Sequence, residues 1–261
     1  MDHATEPVRE DANVEHRQLG CVFCDLPECP PVIHRPHYQV RQCSRCGVLW
    51  CDPKRFDDRF NADDEDAYLE VEDAIVEENR GRLDRLLHWA PPGTHKKVAE
   101  IGCMHGDWVR QARAAGYDAI GLDLSQSAVD AAERLNPGCV RYGTLDAEVA
   151  DGSLDVVAAF NVIEHMDRPD LFLADVKRAL RPGGVLILET PKQESLYHHI
   201  MFARGKMLPE RETLEIGLHP GTHIFKFGLR PWRRILDDRG FGIIDEHSKS
   251  TPLAELLAKN T

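Results

Sequence analysis

Features that would place a protein in a membrane or outside the cell are missing from this sequence of 261 residues. No run approaches the roughly 18 consecutive apolar residues that a membrane-crossing helix needs. The segment Met1–Glu6 lacks the basic and then apolar pattern of a secretory signal. The sequence therefore predicts a cytoplasmic protein with no membrane partner.

A surplus of basic residues is missing as well. The chain has 32 lysines and arginines against 44 aspartates and glutamates, which gives a formal net charge of -12. A protein that binds nucleic acid needs cationic side chains that displace counterions from the phosphates. The charge therefore argues against a nucleic-acid partner.

Cysteine is present at eight positions, and a reducing cytoplasm disfavours disulfides between them. Cys21 and Cys24 form one C-x2-C pair, Cys43 and Cys46 form a second, and eighteen residues separate the pairs. This is the spacing of paired zinc knuckles, and four thiolates complete the tetrahedral shell of a structural ion. The sequence therefore predicts structural Zn²⁺ on these four cysteines.

The other four cysteines lie outside the two pairs. Cys29 and Cys51 belong to the same cysteine-rich stretch, and the spacing leaves open whether either replaces one of the four ligands. Cys103 and Cys139 fall near predicted strands, where we expect them to be small buried hydrophobic residues.

Composition divides the chain into four segments. They are a disordered leader over residues 1–20, a zinc knuckle module over 21–53, an acidic linker with a helix over 54–96, and a main domain over 97–261. The linker helix is predicted from the apolar periodicity of Ala74–Leu87 and ends at Pro91-Pro92-Gly93.

In the main domain, short β-rich runs alternate with helical patterns, which is typical of βαβ units. The predicted strands are Val98–Gly102, Ala119–Leu124, Val140–Gly143, Leu154–Phe160, Val185–Thr190 and Phe241–Asp245. The predicted helices are Trp108–Ala115, Ser127–Leu135 with Ser125 as its N-cap, Leu171–Leu180 with a stop at Pro182-Gly183-Gly184, and Arg230–Arg239. The fold class is thus α/β, with a doubly wound, mostly parallel Rossmann-like sheet and a small N-terminal zinc ribbon.

The loop after the first of these strands has the composition of a cofactor site. Gly102 and Gly106 permit a tight turn and a close approach of the backbone to a ligand, and Glu100 lies at the mouth of the strand. Asp123 closes the next strand, where a carboxylate accepts hydrogen bonds from ribose hydroxyls. Met104 stands where a dinucleotide fold would have a second glycine facing a pyrophosphate. An acidic loop of this kind favours S-adenosylmethionine, which is cationic and has no phosphate, over NAD.

Five segments resemble the motifs of class I S-adenosylmethionine-dependent methyltransferases, in order and at familiar spacing. They are Val98–Gly106, Gly121–Ser125, Gly143–Asp146 with Asp155–Val157, Asn161–His165, and Leu180–Gly184. The resemblance implies methyl transfer, with cofactor contacts at Glu100, Gly102, Cys103, Gly106, Asp123, Leu124, Leu145, Asp146 and Asn161. By the same resemblance, Leu145 and Asp146 would edge the adenine, and Asn161 would lie beside the methionine end.

Three residues are candidate catalytic groups. His165 follows the fourth strand, where the resemblance places the acceptor, and Glu164 is its neighbour. His223 lies in a segment that commonly lines the acceptor pocket in this family. Methyl transfer needs mainly proximity and orientation, and a general base only where the acceptor carries a proton. A structural role for the Glu-His pair stays open.

At Asn161 the sequence departs from one group of these methyltransferases. Relatives that methylate quinone-precursor phenols have a glutamate at this position, three residues before the Glu-His pair, and use the cluster for metal. Asparagine here argues against metal-assisted catalysis.

The zinc ribbon resembles that of bacterial methyltransferases that act on sugars or other small metabolites, which predicts a small-molecule acceptor methylated at oxygen or carbon. Ribosomal-RNA methyltransferases with an N-terminal zinc site, and a non-catalytic module that binds protein, are the alternatives.

The end of the sequence departs from the family pattern too. After Phe241–Asp245 only a short segment, Leu253–Leu257, is left for an antiparallel seventh strand. Either the strand is absent or the chain is shortened. In both cases an exposed sheet edge would remain, which a second copy of the chain can cover to form a homodimer.

Overall fold

The computed structural model describes residues 18–34, 38–52, 72–191 and 223–248. The strands in these residues are β1 (Pro31–His34), β2 (Gln39–Gln42), β3 (Leu49–Asp52), β4 (Lys97–Ile101), β5 (Asp118–Asp123), β6 (Val140–Tyr142), β7 (Leu154–Phe160), β8 (Leu180–Glu189) and β9 (Phe225–Lys226). The helices are α1 (Glu72–Trp89), α2 (Asp107–Ala114), α3 (Gln126–Leu135), α4 (Leu145–Glu148), α5 (Pro169–Ala179) and α6 (Leu229–Asp237), with a 3₁₀ turn at Ile163–His165. None of the described helices is long and apolar enough to span a membrane.

The larger sheet is parallel and has the strand order β6-β5-β4-β7-β8. Strand β7, between β4 and β8, is buried along nearly its whole length, and successive residues alternate between two apolar clusters. Val156 and Ala158 pack with α1 and α2 on one face, whereas Val157 and Ala159 pack with α5 on the other. Burial on both faces explains the continuous apolar run of β7, as is usual for parallel sheets. The predicted doubly wound α/β class is confirmed.

Most predicted elements of the larger sheet agree with the structure within a few residues. Ser125 is the N-cap of α3, and its hydroxyl accepts a hydrogen bond from the Ala128 amide at 3.2 Å. The strand predicted at Phe241–Asp245 is wrong, because these residues form no strand. Ile243 and Ile244 are exposed, and among the described residues no strand beyond β8 is there for the segment to pair with.

The smaller sheet is antiparallel, in the order β1-β2-β3-β9. Its first three strands come from the cysteine-rich stretch, and its fourth comes from the part of the chain that follows His223. Arg41 of β2 and Asp52 of β3 form a buried ion pair at 2.7 Å inside this sheet. The two sheets share one apolar cluster, which includes Trp50, Ile163 and Phe225.

Several predictions lie outside the described residues. These are the disordered leader up to residue 17, the acidic part of the linker and the C-terminal segment Leu253–Leu257.

Candidate functional site

The loop after β4 lies directly against the segment that carries two of the candidate catalytic groups. Gly102 begins this loop with a φ of +67°, a conformation that favours glycine. A Cβ at this position would lie only 2.4 Å from Cγ2 of Val162, which precedes the turn with Glu164 and His165. Glycine therefore permits the contact between the predicted cofactor loop and the predicted acceptor segment.

Gly106 closes the same loop and is the N-cap of α2, with a φ of +76°. A Cβ here would lie 2.6 Å from Cγ2 of Val140 on β6. The loop thus packs against Val162 at its start and against β6 at its end. Helix α2 starts directly after this loop, at the edge where open α/β sheets bind their ligands.

Asp123 at the end of β5 organises the loop through its carboxylate. One oxygen accepts a hydrogen bond from the Met104 amide and the other from the Ser125 amide, each at 2.9 Å. These two bonds fix the carboxylate at the carboxyl edge of the sheet. Its half-exposed position leaves acceptor capacity for hydroxyl groups of a ligand.

Glu100 is buried in β4, and its Oε2 atom has no hydrogen-bond partner within the described part of the chain. Burial raises the pKa of Glu100 to about 8, against the opposing effect of Arg82. A buried carboxyl group with an unused oxygen at a ligand-binding edge suits a cationic ligand, because a nearby positive charge stabilises the ionised form. The loop therefore fits the ammonium and sulfonium groups of S-adenosylmethionine.

Arg82 of α1 was not among the predicted site residues. Its guanidinium donates to both carboxylate oxygens of Glu189 at the end of β8, at 2.6 and 3.2 Å, and lies 4.4 Å from the centre of the Phe160 ring. Glu189 also accepts a hydrogen bond from the Asn161 side chain at 3.4 Å. In the sequence, Arg82 is one of several charged residues on a helix, so no pattern distinguished it.

The other predicted cofactor residues occupy different environments around this edge. Leu124 is exposed, Leu145 is buried, and Asp146 is exposed, with a hydrogen bond from Thr144 that holds its pKa below its usual range. The Cys103 side chain packs against Gly121, where a Cβ would lie 2.3 Å from the sulfur. Cys103 therefore has its backbone, and not its thiol, available to a ligand.

The predicted catalytic groups Glu164, His165 and His223 lie together. Nε2 of His165 is 4.0 Å from Oε1 of Glu164, and the rings of His165 and His223 meet edge to face with centroids 4.8 Å apart. Glu164 is buried, and its Oε2 accepts a hydrogen bond from the Thr190 hydroxyl at 3.1 Å. Burial raises the pKa of Glu164 to about 7. The group therefore combines two half-buried imidazoles with a carboxyl group that titrates near neutrality.

The ligand atoms of these three residues all lie within 4.8 Å of one another, which is compatible with a metal ion. Sequence reasoning from Asn161 argued against metal-assisted catalysis, and this stays a prediction. His223 reaches the cluster from a distant part of the chain, so its place there was not visible in the sequence around Asn161.

Lys226 is a second residue that sequence reasoning missed. It is buried on β9, and its ammonium donates a hydrogen bond to the His223 carbonyl at 3.2 Å. Burial lowers the pKa of Lys226, whereas the nearby Cys51 and Glu164 raise it. The one available signal was a lysine inside the apolar run Ile224–Phe227.

The four cysteines predicted to bind zinc form a second cluster in the small sheet. Their sulfurs lie within 4.8 Å of one another, and the sulfurs of Cys21 and Cys46 are 3.8 Å apart. The Cys43 sulfur accepts hydrogen bonds from the Arg45 and Cys46 amides, both at 3.4 Å. A hydrogen bond from the Cys21 thiol lowers the pKa of Cys46 to about 5. Four converging sulfurs, held by backbone amides, fit a tetrahedral ion without further ligands.

The two leftover cysteines differ in position. Cys29 is buried beside the cluster, where burial raises its pKa to about 11. Cys51 is buried on β3 near Lys226. The group of four that can hold a metal contains neither of them.

A family model for methyltransferase domains matches residues 73–246. A ubiquinone biosynthesis O-methyltransferase of Methylococcus capsulatus is 32% identical over 143 residues, which cover 52% of this chain and 58% of that protein. A "probable S-adenosylmethionine-dependent methyltransferase" of Mycolicibacterium smegmatis is 33% identical over 169 residues, which cover 63% of this chain and 60% of that protein. The chain thus spans about three fifths of the length of these two relatives.

Among solved structures, an S-adenosylmethionine-dependent methyltransferase of Mesorhizobium loti overlaps with a TM-score of 0.45 and 19% identity. The overlap covers 63% of this chain and 82% of that chain. A similarity this low carries no information about function.

Proposed function

This chain belongs to the methyltransferase domain family, and from that premise we propose that it transfers a methyl group from S-adenosylmethionine to a small-molecule acceptor, at oxygen or at carbon. The family match confirms the resemblance to class I methyltransferases. The acceptor, the activity and the roles of individual residues are parts of the proposal.

One observation carries the proposal. The glycine that starts the cofactor loop, Gly102, packs against Val162, and the next residues of that segment bring Glu164 and His165 beside His223. A cofactor held between Glu100 and Asp123 would therefore end close to a pair of imidazoles. This proximity is what a displacement at an activated methyl group requires.

S-adenosylmethionine supplies the activated methyl group. The Asp123 carboxylate would hold the ribose hydroxyls, and Glu100 would face the ammonium group. Leu145 and Asp146 would border the adenine, and Asn161 would lie at the methionine end. The four-cysteine cluster would hold Zn²⁺ in a structural role, because no ligand position is left open there.

His165 is the proposed general base, and an acceptor hydroxyl is the proposed methylated group. The name of the Methylococcus relative specifies an O-methyltransferase, and a hydroxyl has to lose a proton as it is methylated. His165 would take that proton, and the Glu164 carboxylate at 4.0 Å would stabilise the resulting imidazolium. His223 packs edge to face with this ring and is the second candidate base.

Cofactor binding tests the proposal most directly. Asp123→Asn removes a charged acceptor, so we expect the affinity for S-adenosylmethionine in calorimetry to fall about tenfold to a hundredfold. Asp118→Asn is the matched control, since it makes the same change at the opposite, exposed end of the same strand. Failure of the wild-type chain to bind the cofactor would overturn the proposal and leave the protein-binding module as the remaining alternative.

The acceptor class needs its own experiment. We expect incubation with labelled cofactor and small hydroxylated metabolites to give a methylated product, identified by mass. Methylation of RNA with none of small molecules would refute a small-molecule acceptor. Salt-dependent binding of RNA to the protein would likewise indicate an RNA acceptor.

A further inference from the structure

The small sheet that carries the four cysteines takes its fourth strand, β9, from the segment that follows His223. We call the group Glu164, His165 and His223 the acceptor side of the candidate site. Trp50 and Leu49 of β3 pair with Phe225 and Lys226 of β9. The Cys51 amide adds a hydrogen bond to the Ile224 carbonyl at 3.0 Å. The backbone that continues from His223 is therefore held by the strand that follows the second cysteine pair.

Aromatic packing ties the cysteine cluster to the same strand. Phe23 lies between Cys21 and Cys24 in the sequence, and its ring meets the rings of Phe225 and Phe227 edge to face, with centroids 5.9 and 6.0 Å apart. Any loss of order in the loop between the first two cysteines therefore removes a packing surface of β9.

Lys226 adds a polar link between the two regions. Its side chain is buried, it donates to the His223 carbonyl at 3.2 Å, and the nearby Cys51 and Glu164 raise its pKa against the lowering effect of burial. A buried ammonium that lost these neighbours would be left without compensation for its desolvation. Its position therefore depends on both regions at once.

The cofactor loop has more local supports. The Gly102 amide donates to the Leu122 carbonyl at 2.8 Å, and the Met104 amide donates to Asp123 at 2.9 Å. Both bonds join β4 or its loop to β5. These contacts of the cofactor side, which comprises Glu100, the loop Gly102–Gly106 and Asp123, involve no residue of the cysteine module.

From these contacts we propose that a metal ion on the four cysteines fixes β9 and so holds His223 against His165. The ion would act at a distance on the acceptor side and leave the cofactor side intact. Phe225 and Lys226 are positioning residues in this scheme, because they act through His223. The inference rests on the proposed function, which takes His165 and His223 as the acceptor-side groups.

A small module has little core of its own, so metal binding supplies much of its order. A two-residue strand such as β9 in turn depends on its neighbours for order. Loss of the ion should therefore release β9 before it affects β4 and β5.

Amide hydrogen exchange of the full chain, with and without Zn²⁺, tests this order of events. On removal of zinc by a chelator, we expect exchange in peptides covering residues 223–227 to rise about tenfold or more, with little change over residues 98–106. Calorimetry should show unchanged affinity for S-adenosylmethionine. Unchanged exchange over 223–227, or an equal rise in both regions in a chain that stays folded, would overturn the inference.

Cysteine variants provide a matched comparison. Cys24→Ala removes a proposed ligand, whereas Cys139→Ala removes a buried cysteine outside the cluster. We expect the first variant to reproduce the metal-free exchange pattern and the second to behave as wild type. The same pattern in both variants would contradict a role for the metal.

If the metal-free chain unfolds as a whole, variants that keep all four cysteines test whether Phe23 and Lys226 hold β9 and His223 in place. Lys226→Met should retain bound zinc and increase the rate at which diethyl pyrocarbonate modifies His223, and Lys226→Arg should restore the slow rate. Phe23→Leu should raise exchange over residues 223–227 with zinc still bound. If His223 modification and exchange both stay at wild-type levels, the inference fails.

These outcomes separate the inference from the proposed function. A wild-type chain that binds no S-adenosylmethionine defeats the proposed function, whereas the exchange and modification experiments measure the coupling between metal and β9 without any cofactor or acceptor.

Discussion

The two sides of the candidate site are built in different ways. The cofactor side is formed by a nearly continuous stretch, from Glu100 through Asp123 to Asp146. The acceptor side is assembled from separate segments that carry Glu164, Thr190 and the pair His223 and Lys226, with β3 of the small sheet beneath. A side made by consecutive strand-loop-helix units keeps its geometry locally, whereas a side assembled from distant segments depends on packing.

Each side nevertheless contains one buried carboxyl group with an oxygen that has no hydrogen-bond partner among the described residues, Glu100 on the cofactor side and Glu164 on the acceptor side. Burial raises both pKa values, to about 8 and about 7. Their neighbours differ, because Arg82 opposes the shift at Glu100, whereas Thr190 and Lys226 oppose it at Glu164. Under the proposed function, similar burial would serve a cationic ligand on one side and an imidazole on the other.

The largest expected effect is a loss of kcat from a change on the acceptor side alone. With an acceptor in hand, His165→Gln should lower kcat about 100- to 10,000-fold, because it removes the proposed general base. Cofactor affinity in calorimetry should stay unchanged. His95→Gln, which replaces a half-buried histidine before β4, is the matched control. A wild-type kcat for His165→Gln would assign the role of general base to His223. If His223→Gln also had a wild-type kcat, neither ring would be the general base.

A second change would break the contact between the cofactor loop and the acceptor segment. Gly102→Ala introduces a Cβ at a positive φ and 2.4 Å from Val162, so both strain and a clash arise. Gly138→Ala is the control, because it has a similar φ of +69° but open space around the new Cβ. Thermal or denaturant unfolding should show a loss of about 1 to 2 kcal/mol for the control and clearly more for Gly102→Ala.

Equal losses in the two glycine variants would mean that Val162 moves aside at little cost. In that case the contact between the cofactor loop and the acceptor segment would be weaker than the structure indicates.

The smallest expected effect is a release of protons from Glu100 on cofactor binding, which would distinguish this carboxyl group from Glu164. With a pKa of about 8, Glu100 is mostly protonated at pH 7 in the free protein, and a bound cation favours its ionised form. Binding of S-adenosylmethionine should therefore release up to about one proton at pH 7, with less release above pH 9. Calorimetry in buffers of different ionisation enthalpy measures this number.

The same charge state gives a pH dependence with a definite sign. Because ionisation of Glu100 accompanies cofactor binding, affinity should rise with pH up to about pH 8 and then level off. Glu100→Gln should abolish both the proton release and this slope. Proton release that persists in Glu100→Gln would assign it to another group.

Sequence patterns predicted the larger sheet well because its strands are local and buried. Residues 156–160 of β7 are all apolar, and Ser125 marks the start of a helix by its side-chain chemistry. The strand predicted at Phe241–Asp245 failed because an apolar run becomes a strand only where a neighbour is available for pairing. The 3₁₀ turn at Ile163–His165 was missed, since three residues carry no periodicity.

The candidate site divides in the same manner. Glu100, Gly102, Gly106 and Asp123 follow from strand ends and loop composition, and the structure places them together. The site roles of Arg82 and Lys226 could not be predicted, because they depend on Glu189 for Arg82 and on Cys51 and Glu164 for Lys226, which are distant in the sequence. Charged residues on an amphipathic helix or near a short strand give no sign of such contacts.

The sequence by itself determined the fold class, the glycine-bearing loop after β4 and the pairing of four cysteines by spacing, because each depends on residues that are close along the chain. Only the tertiary structure decided that His223 meets His165 and that β9 completes the sheet of the cysteine module. Those contacts join residues more than fifty positions apart, and they arise from burial of shared apolar surface and strand pairing, which no local pattern encodes.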